Sequence, residues 1–202
     1  MNTFQTVKTC VLLLVLTSPD IWEVEAETIV VPNVNENSSA AGPGLTVPFS
    51  EPGVRWQQIY VSSEFNPIVG DIIEISQVRF RIDEARPVGS TFSTTVPGLN
   101  IFVSTTTRNF DTASSVFSQN VDHPLFEVLP ATDVAVSGSR SSATSFDVVI
   151  PLPNRYQYDR RIGNLVLDIR VPEGSGLPFL DQIATPGSSF TVYGSLGSTI
   201  GT

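Results

Sequence analysis

Residues 164–171 read NLVLDIRV, in which alternate side chains are apolar. Leu165, Leu167, Ile169 and Val171 fall on one side of an extended chain. Asn164, Val166, Asp168 and Arg170 fall on the other. This period of two dominates the sequence and constrains its fold more than any other feature. In TSFDVVIPL (144–152), Phe146, Val148, Ile150 and Leu152 share a face. Around 73–82 the phase changes: Ile73 and Ile75 alternate, and then Val78, Phe80 and Ile82 do. A one-residue slip would turn the second set outward, so a β-bulge near Ser76-Gln77 is expected to keep both sets inside. Further strands are expected at 28–32, 54–61, 99–105, 124–129, 132–137 and 190–194.

The intervening segments, such as 33–44, 84–98 and 172–187, hold most of the 15 prolines and 14 glycines, as turn chemistry requires. Only 111–119 (DTASSVFSQ) has the makings of a helix, with Asp111 as N-cap and Val116 and Phe117 packing down. Eight or nine short strands with at most one short helix define an all-β chain, an antiparallel two-sheet sandwich or jelly roll. Each sheet has one apolar face, and two such faces must close over one another. No internal repeat or long linker divides the chain, so residues 27–202 read as a single domain.

The first residues read differently. Lys8 precedes a seven-residue apolar run, CVLLLVL (10–16), and Val24-Glu25-Ala26 offers small side chains at the positions a signal peptidase reads. Residues 1–26 are therefore expected to be a signal peptide, with an amphipathic helix or a buried strand as the alternative. Crossing a bilayer core takes roughly 20 apolar residues, and no run here has that length. Cleavage would remove the only Cys and the only Lys. Loss of Lys8, Asp20, Glu23 and Glu25 changes the formal charge from −9 to −7. The acidic balance disfavours nucleic acid and anionic membrane as partners, because both reward basic patches. Without a disulfide, stability must come from apolar burial; a chain of this size buries roughly 70% of its unfolded surface, enough for one domain.

Chemical motifs are sparse. His123, the single histidine, precedes a proline at a strand entry and reads as a loop residue. Zinc would need carboxylates in place of its usual nitrogen and sulfur ligands. Calcium needs clustered oxygens. Asp111, Asp122, Asp159 and Asp181 sit in loops without a D-x-D-x-D run, so calcium remains open with no ligand set defined. There is no G-x-S-x-G elbow and no Gly-rich loop leading into a helix. Asp83 and Glu84 are adjacent, but as neighbours they have no fixed separation for paired-carboxylate hydrolysis. No catalytic residue is assigned and no cofactor is implied.

Aromatic residues give the best case for a ligand. Trp56, Tyr60, Tyr156 and Tyr158, together with Tyr193, could stack on a pyranose face. Trp56 and Tyr60 also share one strand face, as a core row does. The segment YQYDRRIGN (156–164) poses the same choice. Tyr156 and Tyr158 are expected to close the end of the sandwich, their hydroxyls meeting backbone partners in the manner of a tyrosine corner. Asp159 would cap the turn, and Gly163-Asn164 would supply left-handed backbone. Asp168 and Arg170 are placed on a solvated outer row, with Arg79 or Arg81 as partners for Asp168, so Asp168→Asn should change little.

The order RWQQIYVSSEF (55–65), VRFRID (78–83), NIFVSTTTRNFDTASSVFSQN (100–120) and YQYDRRIGNLVLDIR (156–170) resembles the extracellular domain of bacterial PEP-CTERM, exosortase-sorted proteins. The likeness is to the subgroup with a "PF-x-Y-D…GNLLLDIR" block, and it covers most of 28–194. The resemblance implies an exported β-sandwich at a Gram-negative cell surface or in its matrix, with extracellular polysaccharide or matrix as partner and no established enzymatic activity. That family ends in a Pro-Glu-Pro motif, an apolar helix and a basic tail. This chain ends in GSLGSTIGT (194–202), so the expectation is an unanchored product or a truncated sequence. The combined reading is a secreted, non-enzymatic surface or matrix protein. A carbohydrate-binding module is the alternative, and a hydrolase assembled from distant loops is third.

Overall fold

The computed structural model describes residues 9–13, 27–37, 46–181 and 189–201. These form nine strands and three short 3-10 turns. The strands are β1 (Thr9–Leu13), β2 (Glu27–Val31), β3 (Val54–Tyr60), β4 (Ile72–Phe80), β5 (Thr91–Thr106), β6 (Phe126–Ser139), β7 (Val148–Asp159), β8 (Asn164–Val171) and β9 (Ser189–Ser195). They make a four-stranded sheet, β2-β1-β4-β7, and a five-stranded sheet, β6-β5-β8-β3-β9, with antiparallel neighbours throughout. One apolar cluster joins them. It takes Ile73, Ile75, Val78, Phe80, Val148 and Ile150 from the first sheet and Trp56, Tyr60, Leu99, Ile101, Val103, Leu165, Leu167 and Ile169 from the second. The two-sheet all-β architecture is thus the one that the alternation predicts.

The phase change in β4 is a bulge. The β4–β7 register shifts between Ile75 and Gln77, and Ile73, Ile75, Val78 and Phe80 are all buried. A second irregularity of the same kind lies where the sequence suggests a loop. In β5, Pro97-Gly98 sits between Val96 and Leu99, both buried, and the β5–β6 register shifts there. Gly98 has φ 61°, and its N–H donates to Asp133 Oδ1 at 2.9 Å. The pair bends the strand instead of ending it. Likewise the expected strands 124–129 and 132–137 are one strand, β6, running through Pro130. β7 continues through Pro151 and Pro153 to Asp159. β6 and β7 are both edge strands, where a missing N–H costs no ladder bond on the open side.

The helix expected at 111–119 does not form. The segment is a turn followed by a 3-10 turn at Phe117–Asn120. Its short polar side chains bond to the local backbone instead: Ser114 Oγ accepts from Val116 N at 3.0 Å, and Thr112 Oγ1 accepts from Asn109 N at 3.0 Å. Such bonds compete with helix formation.

Part of the expected leader has a place in the fold. β1 lies between β2 and β4, with Val11 opposite Ile29 on one side and Val78 on the other. The expected cleavage site at Val24-Glu25-Ala26 lies outside the described residues.

Candidate functional site

The strands dispose of the aromatic candidates first. Trp56, Tyr60 and Tyr158 have 0% exposure. Trp56 lies opposite Ile169 and Tyr60 opposite Leu165, on the inner row of the five-stranded sheet. These three expected carbohydrate contacts are therefore corrected: their rings face the dry interior and offer no surface to a sugar. Tyr156 is half-buried, its ring tilted against that of Phe126 at 5.6 Å, and burial raises its phenol pKa. Tyr193 is also half-buried and packs on the core.

The polar corner is architectural in detail. Tyr158 packs edge-on against Phe65 at 5.0 Å and donates its hydroxyl proton to the Gly163 carbonyl at 2.8 Å. Burial holds the phenol far above its usual range. Asp159 accepts from Arg161 N at 3.0 Å and pairs with the Arg161 guanidinium at 2.7 Å; those bonds lower its pKa to about 2. Asn164 is not left-handed. It opens β8, where Oδ1 accepts from Ser62 N at 2.8 Å and Nδ2 donates to the Arg108 carbonyl at 2.7 Å, tying two loops together. Gly163 is needed for space: a Cβ there would lie 2.6 Å from the Thr106 carbonyl oxygen.

The outer row of β8 departs most from expectation. Asp168 is fully buried. Neither Arg79 nor Arg81 is its partner, because β4 belongs to the other sheet. Arg55 Nη2 approaches Asp168 Oδ2 at 2.5 Å, Arg170 Nε approaches Oδ1 at 3.0 Å, and Gln57 Nε2 donates at 3.1 Å. Gln57 in turn accepts from Asn120 Nδ2 at 3.0 Å. Arg55 stacks over Phe117 at 4.4 Å and Arg170 over Phe102 at 4.2 Å.

This face is buried because two segments cover it. The 107–125 excursion lays Phe117 on it. The 196–201 segment follows, with Phe117 N bonded to the Thr199 carbonyl and Gly201 N to the Ser115 carbonyl. Ile59, Val166, Val192 and Phe117 are all at 1% exposure or less and lie outside the main apolar cluster. They make a second, smaller core beside the charged group. Asp168 is therefore an electrostatic and architectural residue, the anion that lets two arginines and a glutamine hold a loop over a sheet.

At the other end of β4, Arg81 and Asp181 form an ion pair at 3.4 Å with both side chains fully buried. Arg81 also donates to the carbonyls of Thr144, Asn35 and Glu36 and stacks on Phe146 at 4.2 Å. The remaining calcium candidates are dispersed. Asp122 accepts from Thr107 Oγ1 at 2.7 Å, with its pKa lowered by the Thr107 hydrogen bonds, and Asp111 is exposed. Among the described residues no three His, Cys, Asp or Glu side chains gather as metal ligands. His123 is exposed, and its carbonyl accepts from Ser104 Oγ at 2.7 Å.

Compared with protein-family models, with curated proteins and with solved structures, the chain matches none.

Proposed function

We propose that the chain is an exported, non-enzymatic β-sandwich that serves at a cell surface or in an extracellular matrix. One observation carries this reading. The residues with most chemical potential in the sequence, Trp56, Tyr60, Tyr158 and Asp168, are buried and engaged in packing or hydrogen bonding. The likeness to exosortase-sorted domains points the same way. A protein whose polar corners brace its strands is suited to persisting outside a cell without disulfides.

The test is localisation with processing. The chain is expressed in a Gram-negative host with an epitope tag inserted in an exposed turn, and cells are fractionated. Recovery of a shortened chain beginning near Glu27, which leaves the first sheet to assemble without β1, retained with extracted matrix or surface material, supports the proposal. An uncleaved chain confined to the cytoplasm overturns it.

A further inference from the structure

The strand β1 belongs to the segment that the proposed processing would remove, yet it lies inside its sheet and not at the edge. It pairs antiparallel with β2 on one side and with β4 on the other. Thr9 stands opposite Val31 and Phe80, Val11 opposite Ile29 and Val78, and Leu13 opposite Glu27 and Ile75. Ile29, Val31, Ile75, Val78 and Phe80 are buried and belong to the main apolar cluster. Taking β1 away therefore leaves two backbone edges facing one another beside the core, each without its ladder. Two strand spacings put them about 10 Å apart.

Both walls of that slot are held by bonds that do not involve β1. β4 keeps β7 on its far side, from Ile72 to Phe80. The chain just after β2 is fastened twice. Asn33 N donates to Glu64 Oε2 at 2.6 Å, and the buried Arg81 guanidinium donates to the carbonyls of Asn35 and Glu36 at 3.3 and 3.1 Å. For β2 to move over and pair with β4 directly, it would have to cross a full strand width against those bonds and withdraw Ile29 and Val31 from the core. An open slot with unmet N–H and C=O groups on both walls is a costly state that a further strand relieves.

We propose, on the reading that the chain is exported and cut before Glu27, that the slot between β2 and β4 binds an extended apolar segment of another polypeptide. The seat of β1 defines the occupant. It runs antiparallel to both neighbours over five residues. It carries no proline, because a strand paired on both sides uses every N–H. Its alternate positions, opposite Phe80, Val78 and Ile75, are apolar to match the buried row beside them. Main-chain bonds on two sides supply the affinity, and those alternate positions supply the selectivity. In a surface layer or matrix such a slot joins one protein to the next.

The test uses the full chain with a protease site inserted directly before Glu27, so that the leader is cut only after folding. A fluorescent peptide of residues 8–14, with Cys10→Ser and lysines added at its end for solubility, is titrated in excess into cut and uncut protein. The cut chain should bind it at least about tenfold more tightly, because in the uncut chain the tethered β1 competes from within. Val11→Pro in the peptide should weaken binding about tenfold, the scale of a lost ladder bond in a strand interior. Hydrogen exchange at Ile75–Phe80 should slow when the peptide is added. Equal binding by cut and uncut chains, or by a scrambled peptide of the same composition, overturns the proposal. If cutting unfolds the chain, recovery of its near-ultraviolet circular dichroism with the peptide supports the slot, and no recovery overturns it. Export is read separately. An uncleaved cytoplasmic chain that takes the peptide once cut sinks the localisation reading alone, whereas an exported, shortened chain that ignores the peptide sinks the slot.

Discussion

Replacing Asp168 by Asn tests the covered outer face directly. The substitution keeps the shape and one acceptor oxygen but removes the negative charge that Arg55, Arg170 and Gln57 share. Breaking a fully buried ion pair by deleting one partner costs about 3–5 kcal/mol. Here the Arg55 and Arg170 side chains retain 16% and 29% exposure, so water relieves part of the stranded charge. The expected loss is about 2–3 kcal/mol. For a domain of this size that lowers the melting temperature by about 5–10 °C. Urea denaturation should show a lower midpoint at unchanged slope. Hydrogen exchange should rise at 114–120, since Asn120 is held through Gln57. Replacing the three charges together, Arg55→Met and Arg170→Met with Asp168→Leu, should recover much of the loss, because no charge of the group is then left stranded. An Asp168→Asn variant within about 0.5 kcal/mol of the parent would refute the argument.

Other substitutions probe the inner row and the corner. Leu167→Asp places an unpaired charge at a position only 1% exposed and should abolish the cooperative thermal transition. Tyr158→Phe keeps the ring against Phe65 but loses the bond to the Gly163 carbonyl, at about 1 kcal/mol in urea titration. Gly163→Ala drives a methyl into the Thr106 carbonyl and should cost about 1–3 kcal/mol, read as a lower urea midpoint. The Asp159 pKa is lowered from 3.8 to about 2, so its anion favours the folded state above the ordinary value and loses that effect as pH falls through about 2. Asp159→Asn should therefore flatten the acid limb of stability, seen by comparing urea midpoints at about pH 5 and about pH 2.

The inner rows were legible because burial on one face writes itself as alternation. The residues of β8, β3 and β4, and the bulge between Ile75 and Gln77, follow from pattern alone. Pro97-Gly98 and Pro130 misled because the same residues that end strands also bend them, and only a paired neighbour distinguishes the two. The outer rows were not legible. Val166 is apolar on the row read as solvated, and with Ile59 and Val192 on the neighbouring strands it was the available signal of a cover. Phe117, which covers them, is distant in sequence. Asp168 was given the wrong partners because strand order is absent from a strand's own pattern: β8 lies between β5 and β3, which brings Arg55 to it and keeps Arg79 away. Trp56 and Tyr60 fitted a sugar platform and a core row equally well until their neighbours were known.

The lid over the five-stranded sheet also decides how the molecule would respond to pulling. Tension applied beyond Gly201 reaches the bonds to Ser115 and Phe117 first, and then the Leu196 N–H bond to the Gly53 carbonyl, before it loads the β9–β3 ladder. These contacts would open one after another, like a zip, and the sandwich behind them would keep its shape until the fastening had run out.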